Sequence, residues 1–131
     1  MRRLLDTNIC VPLLNRTDAK LAKRLLATDP ATIVLCSVVR AELAFGARNS
    51  NRVADNLDRV ERFCSAFDSL PFSDAAADSY GEIRAHLRRE GRPIGANDLM
   101  IAAIAIAEEL TLVTRNVAEF RRVPRLQMEA W

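Results

Sequence analysis

The chain has 131 residues, 19 of them basic and 17 acidic, for a formal charge of +2. Such a length makes one domain, residues 1–131, able to bury about two-thirds of its unfolded surface without staples. Half the residues are hydrophobic and 27% are charged, which excludes a disordered or low-complexity chain, and the small net charge argues against a broad basic nucleic-acid face.

Leu4-Leu5 before Asp6 reads as a brief first strand. The start meets that acid before any apolar run develops, which predicts no signal peptide. Thr7 to Arg16 follows as a helix capped by Asp6 or Thr7. Asp18 opens a second helix with Leu21, Leu25 and Leu26 on one face, and Asp29-Pro30 ends it. Thr32 to Cys36 is apolar and largely β-branched, a strand buried on both faces. Ser37 is a good N-cap for a helix over Val38 to Arg48.

In the stretch from Asn51 to Phe67, Val53, Leu57, Val60 and Cys64 fall on one helical stripe. Ser69 to Phe72 is a candidate edge strand. Asp74 is placed to cap a long helix striped by Ala76, Tyr80, Ile83 and Leu87, which the linker Gly91 to Gly95 stops. Ala96 to Glu109 is nearly all apolar after Asp98, so this helix is buried on most sides. Thr111 to Thr114 is a strand, Arg115 to Arg122 a turn or short helix, and Leu126 to Glu129 a last strand.

This alternation predicts an α/β domain with a mostly parallel sheet and right-handed crossovers. The longest apolar run, Leu99 to Ala107, is half what a membrane span needs. Cys10, Cys36 and Cys64 are an odd number without a C-x-x-C, which fits a reducing cytoplasm better than a disulfide framework.

In open parallel sheets the working site lies at the carboxyl ends of the strands. Asp6 follows the first strand, Glu42 lies in the helix after the second, Asp98 opens the buried helix, and Asn116 follows the strand ending at Thr114. Each sits beside apolar sequence, where a carboxylate must be paired, hydrogen-bonded or metal-bound. Taken singly, Asp6 is also a plain helix cap, Asp98 a dipole partner and Glu42 a solvated residue. Together, Asp6, Glu42 and Asp98 would repel one another unless a cation offset them. Oxygen-only ligands suit Mg²⁺ or Mn²⁺, which can activate water against a phosphodiester. Arg115, Arg121, Arg122 and Arg125 are candidates to hold backbone phosphates, or are a solvated basic tail.

The segments Leu4 to Asn8, Ser37 to Leu43, Ala96 to Ala103 and Leu112 to Asn116 resemble, in order and interval, the successive motifs of the PIN-domain nucleases. Within that family the chain is most similar to the VapC-type toxins of bacterial toxin–antitoxin pairs. Glu119 to Pro124 resembles the branch that cleaves initiator tRNA in its anticodon loop. The resemblance implies a PIN-like α/β/α fold and a Mg²⁺- or Mn²⁺-dependent endoribonuclease. It also implies a homodimer, restrained by a VapB-type antitoxin through which a larger complex could bind operator DNA. Asp6, Glu42 and Asp98 would then be the metal ligands, with Thr7, Asn8 and Thr114 in support. A helix-binding groove between residues 8–26 and 38–48 would take the antitoxin, with Val11, Leu13, Leu14, Leu21 and Leu25 as apolar candidates. Many PIN domains carry a further acid where this chain has Asn116, which favours one metal, or a second held mainly by substrate. Glu119 would contribute at most through water.

Other chemistries lack their residues. His86 is flanked by Arg84, Arg88 and Arg89, a surface position that does not suit a cysteine hydrolase. No acidic pair follows the first strand and no Lys follows residue 23, as a phosphoacceptor domain requires. No G-K-[ST] is present for a P-loop. A catalytically inactive PIN-like module that binds RNA or protein is the remaining rival, but a phosphate binder gains nothing from clustered acids. The +2 is also a cancellation. Residues 1–28 hold six basic and two acidic side chains and residues 112–131 four and two, leaving nine and thirteen between them.

Overall fold

The computed structural model describes all residues 1–131 as five strands and seven helices. Strand β1 (Arg3–Leu5) leads into α1 (Thr7–Asn15) and α2 (Ala19–Leu26). Strand β2 (Ile33–Cys36) runs directly into α3 (Ser37–Arg48), followed by α4 (Val53–Ser65) and β3 (Asp68–Leu70). The second half holds α5 (Asp74–Arg89), α6 (Ala96–Ala107), β4 (Thr111–Thr114), α7 (Val117–Phe120) and β5 (Gln127–Ala130).

All strand pairs are parallel, in the order β3-β2-β1-β4-β5. The expected mostly parallel sheet is therefore wholly parallel, and Asp68–Leu70 lies at its edge. Strands β1, β2 and β4 form the hydrophobic centre. Leu4, Leu5, Leu35, Leu112 and Val113 are fully buried, as strands covered on both faces must be. Helix α6 supplies Ile101 to Ala105 to the same core with no exposed surface.

From β1 the chain moves outward to β2 and β3, then crosses back to β4 on the other side of β1. The reversal opens a crevice between the carboxyl ends of β1 and β4, where a parallel sheet binds its ligands.

Three local expectations change. Ser37 does not cap α3: Cys36 occupies the cap position without a side-chain bond, because β2 passes into the helix with no intervening loop. Ser73, not Asp74, caps α5, its Oγ accepting from the Ala76 N–H at 3.2 Å. Asp74 lies in the first turn, where its charge complements the helix dipole. Leu26 is 87% exposed while Leu21 is buried. Leu25 keeps the four-residue spacing to Leu21, whereas Leu26 is turned a further ~100° off that stripe.

Candidate active site

Asp6 directly follows β1 and caps α1. Its Oδ1 accepts from the Thr7 backbone N–H at 2.8 Å, and its Oδ2 accepts from the Thr114 hydroxyl at 2.7 Å. It is 3% exposed. Burial pushes its carboxyl up further than these two hydrogen bonds pull it down, and the charges of Glu42 and Glu119 add to the rise.

Thr114 ends β4 fully buried. Its hydroxyl donates to Asp6 and accepts from the Asn116 N–H at 3.0 Å and from Asn8 Nδ2 at 3.4 Å. Asn8 in turn accepts the Arg115 N–H at 3.2 Å through Oδ1. Two strand ends and the first turn of α1 are thus joined through one hydroxyl. Thr7 Oγ1 is buried with no partner.

Asp98 lies in the first turn of α6. Burial, then the charges of Asp6 and Glu119, push its carboxyl up to about 7, and Glu42 contributes as well. Glu42 projects from α3, and its buried Oε1 has no hydrogen-bond partner. The charges of Asp6 and Glu42 thus both act on Asp98 at the carboxyl edge of the sheet.

The fourth acid is Glu119, on the single-turn helix α7. Its Oε1 accepts from the Gly95 N–H at 2.9 Å, and its Oε2 accepts from the Asn116 side-chain amide. These bonds, Gly95 first, hold its carboxyl below the ordinary range, while its charge adds to the rise of Asp98. Asn116 is consequently bound to the fourth acid and does not take its place. The spacing Asn116-x-x-Glu119 spans one helical turn, the signal in the sequence that could have identified the pair. A Cβ on Gly95 would lie 3.7 Å from Asp98 Oδ2 and 3.9 Å from Glu119 Oε1, so α6 begins against both carboxylates.

The donor set consists of oxygen atoms only, and one buried carboxylate oxygen is unsatisfied. No three Asp, Glu, His or Cys side chains converge tightly enough to enclose an ion by themselves. A hard cation such as Mg²⁺ keeps several waters and needs only one or two carboxylates besides substrate phosphate.

A family model of the PIN domain matches residues 3–126. The chain belongs to the PIN-domain family. It is 41% identical to Ribonuclease VapC2 of Rickettsia felis over 129 residues, 98% of this chain and 96% of that one. It is 39% identical to the tRNA(fMet)-specific endonuclease VapC of Shigella flexneri over 131 residues, 100% and 98% of the two chains. The crystal structure of Rickettsia felis VapBC2 bound to a promoter DNA fragment superposes with a TM-score of 0.92 at 40% identity, covering 100% of this chain and 99% of that one.

Around the site of this PIN domain the four candidate arginines differ. Arg115 is engaged by Asp18 and donates to the Trp131 carbonyl at 3.4 Å. Arg122 donates to the Pro93 carbonyl at 3.0 Å and lends positive charge to Glu119. Arg125 pairs with Glu82 at 3.3 Å, and Arg121 is exposed. A groove of about 270 Å³ runs between α1, α3 and α4, lined by Val11, Leu14, Leu43 and Val60, with Glu42 at its edge. Of the apolar candidates on the first two helices, Leu21 belongs to the core, and Leu13 and Leu25 pack against it. Val11 is 41% exposed. No helix is long and apolar enough to cross a membrane.

Proposed function

We propose that this chain is an endoribonuclease toxin that cleaves RNA, with initiator tRNA cut in its anticodon loop as the substrate. It would be neutralised by a VapB-type antitoxin. The observation that carries the reading is that Asp6, Glu42 and Glu119 all raise the charge burden on Asp98 at the carboxyl edge of the sheet, with Glu42 Oε1 buried and unsatisfied. Acids so placed are unfavourable for binding phosphate by themselves, and a cation beside them would offset their repulsion. The ribonuclease names of the VapC relatives support the activity, and the tRNA(fMet)-specific relative supports the substrate.

Asp6, Asp98 and Glu42 would hold Mg²⁺ or Mn²⁺. When bound, the cation supplies positive charge to the scissile phosphate and lowers the pKa of water at the site. Thr114 and the Thr7 N–H fix both oxygens of Asp6, so that carboxylate loses little freedom on binding. Asn8 and Asn116 keep the Thr114 hydroxyl aimed at Asp6 by filling its acceptor positions. Asp98, raised to about 7 without a cation, would hold it as the carboxylate. Glu119, ionised and anchored to Gly95, holds the start of α6 in place.

The antitoxin would lie in the groove between α1, α3 and α4, which reaches the acids at Glu42. VapBC complexes among the structural relatives, two of them bound to DNA, support a toxin–antitoxin assembly that engages DNA; a toxin homodimer, with operator binding through the antitoxin, is part of the same proposal. Three unpaired buried cysteines fit action in the reducing cytoplasm. The decisive experiment is sequencing of RNA 5′ ends after brief expression of wild type and Asp98→Asn. New ends in one tRNA anticodon loop, absent from the variant, are expected. Identical ends in both would overturn the reading.

A further inference from the structure

A second groove lies between α5 and the segment entering α6, with a volume of about 380 Å³. That is within the range of small-ligand pockets, roughly 300–1,000 Å³. Leu87 and Leu99, both buried, form its floor, and Ile94 closes one side. The other side carries Tyr80, Arg84 and Arg88. Ala96 lines this groove and also the crevice that holds Asp98 and Glu42, so the two adjoin at that residue.

The polar side of the groove is built of flat and cationic groups. Tyr80 meets Phe72 edge to face at 6.0 Å, and its hydroxyl accepts from Arg84 Nη1 at 3.2 Å. The Arg84 guanidinium carbon lies 5.9 Å from the Tyr80 ring centroid. Arg84 and Arg88 are exposed, and neither takes part in any of the six ion pairs of the molecule. An apolar protein segment laid in this groove would leave two guanidiniums without counter-charge. A nucleotide answers both features, with a planar base for the floor, Tyr80 and the guanidinium planes, and phosphates for the cations.

We propose that the α5–α6 groove is a nucleotide subsite that takes an unstacked base of the RNA next to the scissile phosphate. Tyr80 and Arg84 stack against the base, and Arg88 holds a neighbouring phosphate. The inference rests on the ribonuclease reading and adds to it where the chain beyond the cut is gripped.

The test uses the full chain carrying Asp98→Asn, so that RNA is bound and not cut, and a fluorescein-labelled RNA stem-loop read by anisotropy. Tyr80→Ala should weaken binding roughly tenfold, the scale of one lost base stack. Arg88→Glu should weaken it comparably and reduce the salt dependence by about one phosphate contact. Arg88 is exposed, so this variant reports binding without a folding cost. Arg2→Glu, the same charge change at the amino end of the sheet, is the control for net charge. Weaker binding with unchanged sedimentation supports the subsite. Unchanged binding, or an equal loss in Arg2→Glu, overturns it. A loss that accompanies altered sedimentation also overturns it and makes the groove an interface between copies. If the chain without Asp98→Asn fails to cut the stem-loop or total tRNA, the ribonuclease reading itself falls; if it cuts and the groove variants bind normally, only the subsite falls.

Discussion

The Thr114 hydroxyl donates to Asp6 Oδ2 at 2.7 Å, across 108 positions of sequence and across the point where the sheet reverses direction. The bond ties the ends of β1 and β4 together beneath the crevice and fixes the most buried of the four acids. Both residues are almost inaccessible, so each polar atom they own must find its partner inside the protein.

Thr114→Val keeps the shape and removes the hydroxyl. It strands Asp6 Oδ2 and the Asn116 N–H together, so unfolding in urea should show a loss of about 1–3 kcal/mol. Cleavage should fall at least tenfold because Asp6 loses its fixed orientation. Thr114→Ser restores the donor and should recover most of both losses.

Asp98 is pushed up to about 7, against 3.8 for a free carboxyl. The folded state keeps a proton that the unfolded chain gives up above 3.8. With divalent cations chelated, the Asp98 contribution is fully present at low pH. It declines as pH rises from 3.8 to about 7 and is constant beyond. Asp98→Asn should remove this part of the slope and melt higher than wild type at neutral pH in chelator. Mn²⁺ should raise the melting temperature of wild type and not of the variant. Equal shifts in both proteins would show that the cation binds elsewhere.

Asn116→Asp replaces the amide that donates to Glu119 by another negative charge. Melting in chelator should drop, and isothermal calorimetry should show a changed affinity or stoichiometry for Mn²⁺. If neither moves, Asn116 plays no part in holding the fourth acid. Glu119→Gln, which also removes the charge beside Asp98, should bring the pH dependence of Asp98 nearer that of a free carboxyl.

Arg3 reaches over β4 to Glu129 on β5, with Nε 2.7 Å from Oε2 and Nη2 3.1 Å from Oε1. The hydrogen bond from Arg3 holds the Glu129 carboxyl below its ordinary range. Its stabilisation is therefore present above the free value of 4.5 and is lost as pH falls below it. Glu129→Gln should cost about 1 kcal/mol at neutral pH, typical of a well-oriented partly exposed pair. Wild type and variant should converge at low pH. No difference in denaturation at pH 7 would remove this strap as a stabilising feature.

The sequence by itself determined the layers and the placement of three acids. Thr32 to Cys36 and Thr111 to Thr114 read as buried strands because no polar residue interrupts them except at the ends. Asp6, Glu42 and Asp98 followed from the rule that parallel sheets work at their carboxyl edge. Local capping was legible only to the nearest residue, since Ser37 and Ser73 differ in whether a loop precedes the helix, which composition does not encode. Tertiary structure alone decided that Thr114 bonds Asp6, that Asn116 serves Glu119, and that Arg115 is occupied by Asp18. The physical reason is the same in each case. Hydrophobic periodicity is local and repeats along the chain, whereas a hydrogen bond or a like-charge contact depends on distances between segments that only the assembled sheet sets.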